Sequence, residues 1–183
     1  HHHHHHHHHQ PPPLAMHTVA TVMAVALVAA TTCATAAVAA DHSRGFNDAV
    51  NWLKPDLAAA KATAKASGKP LMVLIHKTWC GACKNLKSQL KDDAAFVKAA
   101  AQYEVVNFED DEEPSDDAFK PDGGYIPRVL FIDAATGAVR PELYNTGGNP
   151  QYKYFYSSAA QLVTAMDTHH AALAAAAAGK DEL

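Results

Sequence analysis

Three observations predict an α/β fold with a small mixed sheet flanked by helices. Leu71–Ile75 (LMVLI) is a continuous apolar run between Pro70 and Gly81, as in a strand buried on both faces. Two further β-branched and aromatic runs, Val105–Phe108 (VVNF) and Arg128–Ile132 (RVLFI), have the same character. The stretches between and after them carry helix signals instead of alternation. Elements in that order make a sandwich of helices about a sheet.

Each element has a local reason. Asp56 follows Pro55 and can cap DLAAAKATAKASG, which Gly68 stops, so a short helix precedes the first apolar run. From Cys83 to about Gln102 the spacing predicts helix, with a break near Asp92-Asp93. The 105–108 strand follows. An acidic loop between Phe108 and Tyr125 is longer than a simple connection needs, and long loops often carry function. After the 128–132 strand, a turn at Thr136-Gly137 predicts a hairpin into a short fourth strand over 138–140. Ser157 to about His170 is a closing amphipathic helix, with Leu162, Val163 and Met166 facing in. The Ala-rich run Ala171–Ala178 also favours helix.

The ends of the chain are of different composition. Residues 1–40 contain no Lys, Arg, Asp or Glu, so 41–183 hold all 15 basic and all 19 acidic groups of the 183-residue chain. Nine of the 14 histidines are His1–His9. Residues 1–15 read as a tag or as translation upstream of Met16, and are excluded from the fold. Residues 16–40 read as a signal peptide: an Ala/Val/Thr-rich run ending in AVAAD, with cleavage after Ala39 or Ala40. A membrane anchor and a plastid transit peptide are the alternatives. The lack of flanking positive charge disfavours the first, and the lack of Arg the second. Residues 41–170 are then one domain, and 171–183 an Ala-rich tail ending in Lys180-Asp181-Glu182-Leu183. That tetrapeptide is the retrieval signal of soluble endoplasmic-reticulum proteins, read by the KDEL receptor. Leader and tail agree on the reticulum lumen, with no stable membrane insertion once the leader is cleaved. The net charge of -4 argues against nucleic acid as partner.

The chemistry-bearing motif is Thr78-Trp79-Cys80-Gly81-Ala82-Cys83-Lys84, directly after the buried strand. A Cys-x-x-Cys here can close a disulfide across the first helical turn. Cys80 at the helix N-terminus meets unpaired backbone N–H groups and the positive end of the macrodipole, which favour its thiolate. Lys77, Lys84 and His76 are expected to add positive charge. Cys80 would attack a disulfide and Cys83 would resolve the product. Two alternatives stand beside this. A structural zinc site wants four ligands and finds no second Cys pair. A purely structural disulfide would close too short a loop to stabilise much.

HKTWCGACK after an apolar strand, with Ile126-Pro127 before another strand, resembles the thioredoxin superfamily. WCGAC, EDDEEP, PDGGYIPR, GNP and YKYFY in that order resemble, more narrowly, its small endoplasmic-reticulum members, relatives of the anterior-gradient group. The likeness runs from about Lys69 to Ser158, plus the retrieval tail. It implies a thioredoxin-like three-layer sandwich, a cis peptide bond at Pro127 facing the Cys pair, and substrate contacts at Ile126, Pro127 and Trp79. It implies a thiol–disulfide oxidoreductase acting on secretory-pathway proteins, with no bound cofactor or metal and with glutathione as small-thiol partner. Anterior-gradient members often lack the second Cys, which leaves a non-catalytic client escort as the alternative.

Two departures from the superfamily pattern bear on rate and potential. Leu74 stands where thioredoxins bury a carboxylate that helps deprotonate the resolving thiol, so that step is expected to be slow. The Gly81-Ala82 dipeptide implies a potential between roughly -270 mV (thioredoxin) and roughly -180 mV (disulfide isomerase). Ser88 replaces the helix-kinking Pro. Other features have plainer readings. Glu109–Asp117 holds seven acids in nine residues, read as a solvated loop, with weak calcium binding or client screening as alternatives. Tyr152, Tyr154, Phe155 and Tyr156 read as edge packing before a peptide platform. His76, His169 and His170 are not read as metal ligands.

Overall fold

The structure, a computed structural model, describes residues 41–179. The histidine run, the apolar leader and Lys180–Leu183 lie outside the described residues. The elements are β1 (Trp52–Leu53), α1 (Leu57–Ser67), β2 (Leu71–His76), α2 (Gly81–Leu90) and α3 (Ala94–Ala100). Then come β3 (Glu104–Glu109), β4 (Arg128–Ile132) and α4 (Ala159–Ala178). They form a four-stranded sheet in the order β1-β3-β2-β4. β3 runs parallel to β1 and β2, and β4 pairs antiparallel with β2 from Leu71↔Ile132 to Ile75↔Arg128. The sheet is therefore mixed, as expected.

β2 is central and all six of its residues are buried. Its period of two sends alternate side chains into two cores. Met72 and Leu74 meet Leu86 and Leu90 of α2, Phe96 of α3 and Leu162 and Met166 of α4. Leu71, Val73 and Ile75 meet Ala60 and Ala64 of α1, with Phe108, Phe119 and Leu130. Helices thus cover both faces, giving three layers.

The helix boundaries follow from their caps. Asp56 accepts from the Ala59 N–H, and Gly68 ends α1 at φ 73°, a conformation that disfavours a Cβ. Asp93 accepts from the Phe96 N–H to start α3 after the expected break. Ser158 caps α4 through the Gln161 N–H. The closing helix and the Ala-rich run are one continuous helix, and Leu173 within that run is buried in the first core. Val163 is only partly buried, at the margin of that core.

The fourth strand is not where the hairpin pattern put it. After the Thr136-Gly137 turn, the 138–140 segment makes only an isolated bridge, Ile132↔Val139, and Pro141 follows. Proline has no N–H with which to extend the ladder. The fourth strand is instead β1, a two-residue edge whose Trp52 packs into the core and donates its indole N–H to the Asn47 carbonyl at 3.0 Å.

Candidate functional site

β2 delivers the chain to the rim of the sheet, and α2 starts immediately beyond. Cys80 occupies the N-cap of α2, where the Cys83 N–H donates to its Sγ at 3.1 Å. The two cysteines are joined as a disulfide, with Cα atoms 5.2 Å apart. Once reduced, Cys80 keeps this N–H and the start of the helix dipole as stabilisers of a thiolate. Cys80 is 6% exposed and Cys83 2%, so both cysteines are buried.

The opposite wall is the segment before β4. The Ile126–Pro127 peptide bond is cis, as the resemblance implied. The Ile126 carbonyl oxygen lies 3.9 Å from Cys80 Sγ. Cys80, Cys83, Ile126 and Pro127 are therefore brought together. Trp79 adjoins Cys80 in sequence and is 73% exposed. Beside Ile126 a cavity of about 410 Å³ is lined by Tyr125, Asn149, Tyr152 and Phe155. Its wall is braced: Tyr125 and Tyr152 meet edge to face at 4.9 Å, and the Tyr125 hydroxyl donates to Asp122. The aromatic cluster thus divides, with Tyr154 and Tyr156 buried and Tyr152 exposed.

The positive charge expected around Cys80 is mostly committed elsewhere. His76 is buried, hydrogen-bonded to Asn107 Oδ1 at 3.0 Å and 3.7 Å from Glu109 through Nδ1, and its pKa is pushed down by burial against the pull of those two partners. Lys77 turns to the acidic loop, pairing with Glu113 at 2.9 Å and donating to the Asp110 carbonyl. Lys84, the remaining cation of the three, is exposed on the first turn of α2. Leu74 is fully buried, so the position of the thioredoxin carboxylate is apolar here.

The acidic loop is a docked structure with single 3-10 turns at Asp110–Glu112 and Asp117–Phe119. Asp110, at φ 52°, accepts from the Thr78 N–H and from its hydroxyl, both at 2.9 Å. The backbone bond from Thr78 and then its hydroxyl hold the Asp110 carboxyl below its usual range. Glu112 pairs with both terminal nitrogens of Arg44. Glu113 pairs with Lys77 and with Arg128, which is fully buried. Burial opposes ionisation of Glu113, but hydrogen bonds from Lys77 and Arg128 outweigh it and hold its pKa low. Arg128 also donates to the Phe119 and Tyr125 carbonyls. The reading of this loop as merely solvated is corrected: complementary charge lay at distant positions that periodicity cannot reveal. Among the described residues, no group of three or more His, Cys, Asp or Glu could hold a metal ion.

Comparison with known proteins agrees with this geometry. A family model described as thioredoxin-like matches residues 51–134, which include both cysteines and the cis-proline. Anterior gradient protein 2 homolog of Homo sapiens is 31% identical over 124 residues, 68% of this chain and 69% of that protein. Anterior gradient protein 3 of Xenopus tropicalis is 34% identical over 113 residues, 61% of this chain and 66% of that protein. The matched segments thus span about two thirds of these relatives' own length. Among solved structures, a disulphide isomerase from Xylella fastidiosa Temecula1 aligns at 22% identity and TM-score 0.44, covering 64% of this chain and 88% of that one. The match to the anterior gradient proteins, 31% identical to the human one over 69% of its length, places the chain in the anterior gradient family, and the thioredoxin-like family model agrees with its fold.

Proposed function

We propose that the chain is a thiol–disulfide oxidoreductase of the endoplasmic-reticulum lumen, acting on secretory-pathway proteins. The observation that carries this is the Cys80–Cys83 disulfide at the N-cap of α2, facing the Ile126 carbonyl before a cis-proline. In the reducing direction, the Cys80 thiolate attacks one sulfur of a client disulfide and the other sulfur leaves as a thiolate. Cys83, deprotonated, then attacks Cys80 Sγ and releases the second client thiolate, which takes up a proton. The client gains two electrons and the Cys80–Cys83 pair loses two. Two molecules of glutathione would restore the dithiol and leave as glutathione disulfide. Run backwards, the oxidised pair oxidises a client dithiol. The partly exposed Ile126 and the exposed Trp79 would face the client, the buried Pro127 would hold the turn that follows Ile126, and the cavity lined by Ile126 and Tyr152 would extend that surface. Lys180–Leu183 would return the protein to the lumen through the KDEL receptor.

The test is the reduction potential of the Cys80–Cys83 pair, by equilibration against graded reduced and oxidised glutathione with thiol alkylation. A value near the lumen poise of about -180 to -210 mV supports an exchange enzyme. A value below about -300 mV means a bridge shut in that compartment, and sinks the proposal. The exposure of Trp79 (73%), next to Cys80 in the chain, and of Tyr152 (45%), at the cavity beside Ile126, favours one second reading, a client escort that binds apolar segments without exchange. Under that reading a Cys80→Ser/Cys83→Ser protein still rescues client secretion; under ours it does not.

A further inference from the structure

The two walls of the site belong to segments far apart in the chain, the loop before α2 and the turn before β4. Both are tied to the same short stretch of acidic loop. On the first wall, Thr78 is held by Asp110 and Lys77 by the Asp110 carbonyl. On the second, the buried Arg128 directly follows Pro127 and donates to the carbonyl of Tyr125, so it brackets the cis-proline from both sides. Glu113 joins the halves: one carboxylate oxygen takes Lys77 and the other takes Arg128.

We propose that Glu113 is a positioning residue, whose carboxylate, shared between Lys77 and Arg128, fixes the Cys80 loop against the Ile126–Pro127 turn. The shared carboxylate suits this task. Two charge-assisted bonds on one rigid planar group fix both distance and direction, and both cations are shielded from water enough to resist screening. The guanidinium is itself immobilised by the Phe119 carbonyl, so movement of Glu113 is passed to β4 and not absorbed by a swinging side chain. A client polypeptide must lie along Ile126 while its sulfur reaches Cys80, so the spacing of the walls matters to it. Glutathione is short enough to reach the sulfur without spanning both.

The test breaks the bridge on its more exposed side, because removing Glu113 leaves a buried cation and endangers the fold. Lys77→Met keeps the alkyl stem and removes the charge; Lys77→Arg restores the charge. Hydrogen–deuterium exchange on the whole protein reads the walls directly. Lys77→Met should raise exchange over 125–129, on the opposite wall from Lys77, by about tenfold, the scale of one charge-assisted hydrogen bond. Exchange in α4 should stay as it was, and Lys77→Arg should restore protection. Unchanged exchange over 125–129, or equal loss in α4, overturns the proposal whatever the thiol chemistry does. A second readout rests on the oxidoreductase reading: the ratio of mixed-disulfide formation with a cysteine peptide to that with glutathione should fall in Lys77→Met by a similar factor. Equal loss with both thiols would show a charge effect on Cys80 and not a positioning one. A wild-type protein inert to both thiols counts against the oxidoreductase reading alone, since the exchange result stands without it.

Discussion

The acidic loop at 109–117 and the Ala-rich run at 171–178 are both segments of biased composition, yet the fold uses them in opposite ways. The loop is pinned through side chains: Asp110, Glu112 and Glu113 each hold a partner from a remote segment. The Ala-rich run extends α4 through backbone hydrogen bonds and the helix propensity of alanine, with Leu173 as its buried anchor. A highly charged segment is fixed here by complementary charge elsewhere in the chain, and an apolar one by local propensity and one hydrophobic contact. Composition alone distinguishes neither from a solvated tail.

The largest test of that contrast is Glu113→Ala. It leaves the Arg128 guanidinium buried without its carboxylate, and should cost about 3–5 kcal/mol in urea unfolding. Adding Arg128→Met should recover much of the loss, since the unpaired charge is then gone. On the other segment, Leu173→Ala should cost about 2–3 kcal/mol, at the low end for a buried leucine because it lies near the helix end. A loss as large as that of Glu113→Ala would mean that the Ala-rich run is as firmly built as the loop.

Acid should remove the histidine and carboxylate contributions in order. His169 on α4 and His76 on β2 have pKa values lowered by burial, so the unfolded chain takes up protons first. Their contribution is complete above their ordinary value of 6.5 and is lost as the pH falls below it. Asp110, Glu112 and Glu113 are also lowered, from ordinary values of 3.8, 4.5 and 4.5, and their contribution goes only as the pH falls through that range and below. Unfolding free energy measured against pH should therefore decline in two limbs. His169→Gln should flatten the upper limb, and Asp110→Asn the lower. One limb common to both variants would contradict the assignment.

Smaller effects sharpen the comparison. Ala175→Gly in the exposed run should cost about 1 kcal/mol, the propensity difference alone. Arg44→Met, which removes a partly exposed pair with Glu112, should cost less than about 1 kcal/mol, and less still at high salt. A salt-independent loss there would show that the pair is less exposed to water than its position indicates.

The central architecture was legible because its signals are local. The LMVLI run, the Asp56 cap, the break at Asp92-Asp93 and the Cys80-to-Cys83 spacing each depend on a few neighbouring residues, and each sits where expected. β1 was not legible: two residues, Trp52 and Leu53, have no period, and they become a strand only because β3 offers an edge. The 138–140 strand was over-read, since its residues suit a hairpin but Pro141 stops the ladder. At the site, the cysteines and the cis-proline were legible and the charge pairing was not. Lys77 and Arg128 find Glu113 across separations that no periodicity reports, and they withdraw Lys77 from the role that proximity in sequence assigned to it.

Arg128 has a further consequence, for how the strands find their alignment. Val129–Ile132 is apolar on both faces, so slipping β4 by one residue against β2 would exchange one greasy face for another at little cost. The guanidinium removes that ambiguity. In the native pairing Arg128 sits opposite Ile75, within reach of Glu113 and of the Phe119 and Tyr125 carbonyls. One step away it would point into the core shared by α2 and α4, a charge among leucines with no acceptor. The only cation in the strand thus serves as its register mark, and through it the folded chain keeps the alignment that sets Ile126 across from Cys80.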